Sequence, residues 1–150
     1  MTFLIRDAVP GDMAVLRDVY RRSSLSNEGD RPNLLAHPDA LEFTGAPADD
    51  RRMRVAVADG RVAGFATSII GGDAVELEDL FVDPDWMRQG AGRALVEDAV
   101  AITRNEGARR IEVTANPHAL VFYQTVGFVL GGEVRTRFGS GSRMHRDVTP

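Results

Sequence analysis

The stretch LFVDPDWMRQGAGRAL, from Leu80 to Leu95, decides how the rest of this 150-residue chain is read. Val75 to Val82 carries a strand pattern, Asp83-Pro84-Asp85 interrupts it, and Gly90-Ala91-Gly92 opens a long amphipathic helix. A glycine turn between a strand end and a helix start presents free backbone N–H groups at the positive end of the helix dipole. That is an anion site, and phosphate is its usual occupant. Glycine also lets the backbone come close to a ligand without a side-chain clash. A dinucleotide fingerprint would need a third glycine where Leu95 stands, and a P-loop would need a Gly-Lys-Ser/Thr triplet that the chain lacks. The turn therefore predicts a phosphate-bearing cofactor or substrate of another kind.

Working outward, three strands precede the turn. Arg54 to Asp59 and Arg61 to Ile69 form a hairpin at Asp59-Gly60, and Gly71-Gly72-Asp73 turns the chain into Ala74 to Val82. Upstream, Thr2 to Ala8 reads as a strand. Asp12 reads as the N-cap of a helix whose apolar face is Met13, Leu16, Val19 and Tyr20. From Ser23 to Asp50 the pattern is punctuated by Pro32, Pro38 and Pro47, with Leu34, Leu35 and Leu41 on a short helix. A long irregular insert of this kind is usually functional or mobile.

Downstream of the turn, Ala91, Ala94, Leu95, Ala99 and Ile102 line one helical face, and Gly107 stops the helix. Arg110 to Ala115 follows as a strand, and strand, helix, strand in that order implies a right-handed crossover to a parallel neighbour. Asn116-Pro117 then opens a helix that Gly127 ends. Phe128 to Thr136 and Arg143 to Val148 close the chain as strands, with Gly139-Ser140-Gly141 as the turn between them. The reading is an α/β fold in one domain, 1–150: a central mixed sheet of about seven strands with helices on both faces.

Composition narrows the class. A 43% hydrophobic content suits a globular chain, and no run approaches the roughly 18 apolar residues of a membrane span. No signal-peptide pattern opens the chain, so the expected place is the cytoplasm, away from membranes. Cysteine is absent, which removes disulfides and thiolate chemistry, and His37, His118 and His145 have no metal-ligand spacing. A formal charge of −4 argues against a nucleic-acid partner.

Three segments carry a resemblance to a known family. The turn resembles the Q/R-x-x-G-x-G/A pyrophosphate loop of the GNAT superfamily of N-acetyltransferases at Gly90 and Gly92, with Met87 at its first position and Arg88 one residue late. Asn116 to Phe128 (NPHALVFYQTVGF) resembles the N-x-x-A-x-x-F-Y-x-x-x-G-F motif of the same enzymes at every fixed position. The opening Ile5-Arg6-x-Ala8-x-x-x-Asp12 also looks like the start of many GNAT chains.

The resemblance implies acetyl-CoA as co-substrate, lying where two parallel strands splay. Its pyrophosphate would sit on the backbone of Arg88, Gln89, Gly90, Ala91, Gly92 and Arg93. Its pantetheine arm would pair with Leu80, Phe81 and Val82 like an added strand. The Phe81 amide would polarise the thioester carbonyl, and Asn116 would hold the pantetheine. The insert would cover the acceptor site. The family also implies a homodimer, for which the strands from Phe128 and Arg143 offer edges.

The implied reaction moves the acetyl group to a primary amine of a small molecule or peptide. Tyr123 would act as general acid, protonating the leaving thiolate with a phenol of pKa about 10 and losing activity at high pH as it ionises. It would otherwise pack its helix as Phe122 does. Glu78 and Glu76, two apart on one strand and so on one face, are candidates for the base that deprotonates the amine, with Glu112 or a water chain as alternatives. A different class of reading is a non-catalytic acyl-CoA-binding or regulatory module on the same fold. A third is transfer of a longer acyl group.

Overall fold

The computed structural model describes residues 2–45 and 47–148. The β-branched and apolar runs form seven strands: β1 (Leu4–Asp7), β2 (Arg51–Ala58), β3 (Arg61–Ile69), β4 (Ala74–Val82), β5 (Arg110–Ala115), β6 (Val129–Thr136) and β7 (Gly139–Asp147). They join in one sheet of order β1-β2-β3-β4-β5-β7-β6, antiparallel throughout except between β4 and β5. Asp59 and Gly60 both take left-handed backbone angles, φ 52° and 73°, which matches the strand twist at a two-residue hairpin.

Alternation along the strands sends side chains to two cores. On one face Met53, Val55 and Phe65 meet Leu16 and Val19 of helix α1 (Met13–Leu25) and Phe43. On the other, Ala56, Ala66 and Leu77 meet Leu95, Val96, Ala99 and Val100 of α3 (Ala91–Asn105). The short α2 (Arg31–Ala36) lies in the segment after α1. The short α4 (Leu120–Thr125) adds Tyr123 to the α3 core. The mixed sheet with helices on both faces is as expected.

The feature that makes room for a ligand lies between β4 and β5. They pair only at Ala74–Arg110, Val75–Ile111 and Glu76–Glu112, and then part. Just beyond, the β3–β4 register jumps from Ser68–Leu77 to Thr67–Asp79, leaving Glu78 without a partner on β3. A bulge of this kind raises local twist. It therefore helps turn β4 away from β5. Gly64 opposite Val82 keeps β3 and β4 close, since a Cβ there would stand 2.6 Å from the Phe81 carbonyl oxygen.

Three local expectations are corrected. Asp12 stands at the N-cap position of α1 but does not cap it; its carboxylate accepts from the Val9 N–H at 2.8 Å and pairs with Arg6 at 2.8 Å. Gly139-Ser140-Gly141 is strand rather than turn, and the β6–β7 turn is at Arg137-Phe138. The third concerns the edges. β7, which carries Arg143, lies between β5 and β6, so of the last two strands only β6 is an edge.

Candidate active site

The gap between β4 and β5 widens into a cleft of about 1020 Å³. Its floor at one end is the last part of β4, where Leu80, Phe81 and Val82 line the opening. These residues pair with β3 on one side and have no partner strand on the other, which leaves an unpaired strand edge facing the cleft. An extended amide-bearing arm can add to such an edge.

The turn after β4 is held from below. Asp83 is buried; its carboxylate accepts from the Asp85 N–H at 2.9 Å and from Arg22 of α1 at 2.6 Å. Arg88 takes a left-handed φ of 63° and Gly90 one of 96°, and Gly90 then serves as the N-cap of α3. Among the described residues no side chain caps this fifteen-residue helix. Its first N–H groups therefore face the cleft mouth as an anion cradle, with Arg93 and Arg88 lining the same end. No other protein atom lies near a Cβ built at Gly90, so within the protein it is the left-handed φ that calls for glycine there. At Gly92 clearance matters more: a Cβ would stand 3.1 Å from the Phe122 ring.

Across the gap, Asn116 and Tyr123 line the opposite wall. Asn116 precedes a 3₁₀ turn at Pro117–Ala119 and its side chain does not cap it, which leaves the amide for another partner. Tyr123 is wedged edge-on between Phe122 and Phe128, 7% exposed. Its hydroxyl makes no hydrogen bond to another described residue. Burial, with a smaller contribution from the charge of Asp79, pushes its pKa well above the ordinary phenol range. The expected loss of activity at high pH through Tyr123 ionisation is therefore moved out of reach.

The acidic candidates separate. Glu78 lines the cleft and is ion-paired with Arg51. Glu76 is not among the cleft-lining residues; Arg143 holds it at 2.9 Å. Glu112 is bound by Arg143 at 3.0 Å and by Arg110 at 2.8 Å. Gln89 is likewise outside the lining, its side chain turned back on the Asp85 carbonyl at 3.4 Å.

The residue that sequence reasoning passed over is Asp79. It pairs with Thr67 of β3 and is itself outside the cleft lining, although Glu78 and Leu80 on either side line it; partial burial lifts its carboxyl from 3.8 to about 6. Glu78 raises it further, while Thr67 and Arg51 pull it part of the way back. The Thr67 hydroxyl, buried and on the residue paired with Asp79, makes no hydrogen bond among the described residues. The signal in the sequence was the Glu-Asp pair at 78–79. Its burial depends on the bulge, which one strand alone does not announce.

The far side of the cleft is roofed by the segment after α1. His118 stands 3.5 Å from Asp30, Arg137 pairs with Asp39 at 2.9 Å, and the His37 and Phe138 rings lie 5.5 Å apart. Trp86 meets Phe3 edge-on beside the cleft.

Comparison with known proteins agrees with this architecture. The acetyltransferase (GNAT) domain family matches residues 35–144. A glucosamine 6-phosphate N-acetyltransferase of Trypanosoma brucei brucei is 36% identical over 76 residues, covering 46% of this chain and 52% of that protein. The [ribosomal protein bS18]-alanine N-acetyltransferase of Escherichia coli is 38% identical over 72 residues, covering 46% and 49%. The chain thus spans about half the length of the curated relatives it matches. Among solved structures, the PaiA N-acetyltransferase of Thermoplasma acidophilum in complex with coenzyme A superposes with a TM-score of 0.76 at 20% identity, over 98% of this chain and 99% of that one. With its family match covering most of its length and its fold shared, the chain belongs to the GNAT family of acetyltransferases.

Proposed function

We propose that this protein transfers the acetyl group of acetyl-CoA to a primary amine of a small molecule or peptide. The observation that carries the reading is the convergence on one cleft of an unpaired β4 edge, the uncapped N-terminus of α3, Asn116 and Tyr123. In this reading the pyrophosphate rests on the N–H groups from Arg88 to Arg93, and the pantetheine arm runs along Leu80 to Val82 towards the strand fork. The Phe81 amide holds the thioester oxygen as it gains charge.

The chemistry is a direct attack. The amine nitrogen bonds to the thioester carbon, the carbon–sulfur bond breaks, and coenzyme A leaves as a thiolate. The proton shed by the amine passes through a water to Asp79, whose carboxyl titrates near 6 and so suits a base at neutral pH. Glu78, nearer the cleft but held by Arg51, keeps the entrance acidic and attracts an ammonium-bearing acceptor. The Tyr123 hydroxyl donates to the thiolate. With its acidity weakened by burial it acts first as a hydrogen-bond donor to the developing charge.

The test is to follow free thiol release from acetyl-CoA against a panel of small amines and peptide N-termini. Turnover with at least one acceptor supports the reading. Tight coenzyme A binding with no turnover across the panel would favour the non-catalytic acyl-CoA-binding module instead. Faster release from a longer acyl-CoA would shift the donor.

A further inference from the structure

The last rung shared by β4 and β5 places Glu76 directly beside Glu112, and beyond it the strands part. Two like charges facing each other across neighbouring strands push the strands apart. Arg143 answers both. From β7 it reaches over β5: Nη1 donates to Glu76 Oε2 at 2.9 Å and to Thr114 Oγ1 at 2.9 Å, while Nη2 meets Glu76 Oε1 at 2.9 Å and Glu112 Oε2 at 3.0 Å. One guanidinium thus ties three strands on one sheet face, at the rung where pairing stops. Arg110 holds the other oxygen of Glu112 but no part of β4, so it cannot close the fork.

We propose that Arg143 is a positioning residue that fixes where the two strands separate, and so sets the depth and width of the cleft. The idea rests on the acetyl-CoA reading of that cleft, since the ligand lies on strand edges whose spacing Arg143 controls. Without the guanidinium, the Glu76–Glu112 repulsion is no longer bridged and the fork creeps towards Ala74. Arg143 itself touches no reacting atom. A lysine in its place would restore the charge but could not fork to two strands at once.

The test uses the full chain and two readouts. Arg143→Met should speed amide hydrogen exchange in residues 74–77 and 110–113 of the ligand-free protein. It should also weaken coenzyme A binding by roughly fivefold, the upper range for a cross-strand charge pair. Adding Glu76→Gln to Arg143→Met should return both readouts towards wild type, because the repulsion is gone and the new amide can donate to Glu112. Rescue by that second change separates a charge clamp from simple loss of packing, which a further substitution would not mend. Unchanged exchange in Arg143→Met, or a double variant as loose as the single one, would overturn the proposal. If Arg143→Met does not fold, the double variant decides: folded with a protected rung supports the clamp, unfolded rejects it. A wild-type protein that binds no coenzyme A would sink the acetyl-CoA reading instead, and the exchange arm would still judge Arg143.

Discussion

At Tyr123 the ring and the hydroxyl do separable things. The ring fills a slot between Phe122 and Phe128, and phenylalanine would fill it equally. Tyr123→Phe should therefore keep its melting temperature while turnover falls by roughly 10²-fold, the low end for general acid catalysis because thiolate can leave unaided. The wild-type rate should show no alkaline fall due to Tyr123, since burial holds its proton well beyond the ordinary phenol range. A rate unchanged in the variant would reduce Tyr123 to packing. Asp79 makes the opposite exchange between stability and activity. Its folded carboxyl titrates near 6 against 3.8 when exposed, so the fold favours the protonated form. The resulting stability is complete below about pH 4 and is lost as pH rises through about 6. Asp79→Asn removes that loss: chemical denaturation at pH 8 should show a gain of up to about 3 kcal/mol, vanishing below pH 4. The same variant should lose the rise in turnover through about pH 6 that the proposed base would give the wild type. A variant no more stable at pH 8 would contradict the burial argument.

Among the elements, β4 and the turn that follows it are the most exacting. Gly64 is the point of closest approach to β4, so Gly64→Ala should force Phe81 outward, costing about 1–3 kcal/mol and weakening coenzyme A binding. At Gly90 the reason differs. Its φ of 96° is one that valine avoids, so Gly90→Val should lower both stability and affinity in calorimetry, although no other protein atom crowds the site. How much of this was legible follows from which interactions are local. The Asp59-Gly60 hairpin and the glycine entry to α3 were readable because turn chemistry is written in adjacent residues. The β6–β7 turn was not. Gly139-Ser140-Gly141 looks like a turn, yet Gly141 is glycine for a tertiary reason: a Cβ would stand 2.9 Å from the Thr136 methyl and 3.1 Å from that of Thr114. Glu76 and Glu78 were read from simple alternation, whereas the bulge adds Asp79 as a partly buried carboxyl, and a bulge exists only in the pairing with β3.

For the molecule as a whole, the sheet ends in two unlike edges. β1 is four residues long, while β6 carries Val129 and Leu130, each 54% exposed. If copies pair, β6 is the edge to expect. Light scattering at micromolar concentration should then report a dimer that Leu130→Lys returns to monomer. A monomeric wild type removes that assembly. The roof over the cleft has its own consequence. Its ties across the cleft are the exposed Arg137–Asp39 pair, the His118–Asp30 contact and one ring contact, which contribute little individually, while the Tyr20 hydroxyl bond to the Ala40 carbonyl and the buried Leu34 and Leu41 hold its other side. Opening on the Arg137 side is therefore inexpensive, and the chain contains no cysteine to complicate a trap. Cysteines introduced at Asp39 and Arg137 would be the protein's sole thiols, ready for a short bis-maleimide bridge. Once bridged, the protein should hold coenzyme A as before yet exclude bulky amines, an outcome that would give the two proposed substrates separate doors.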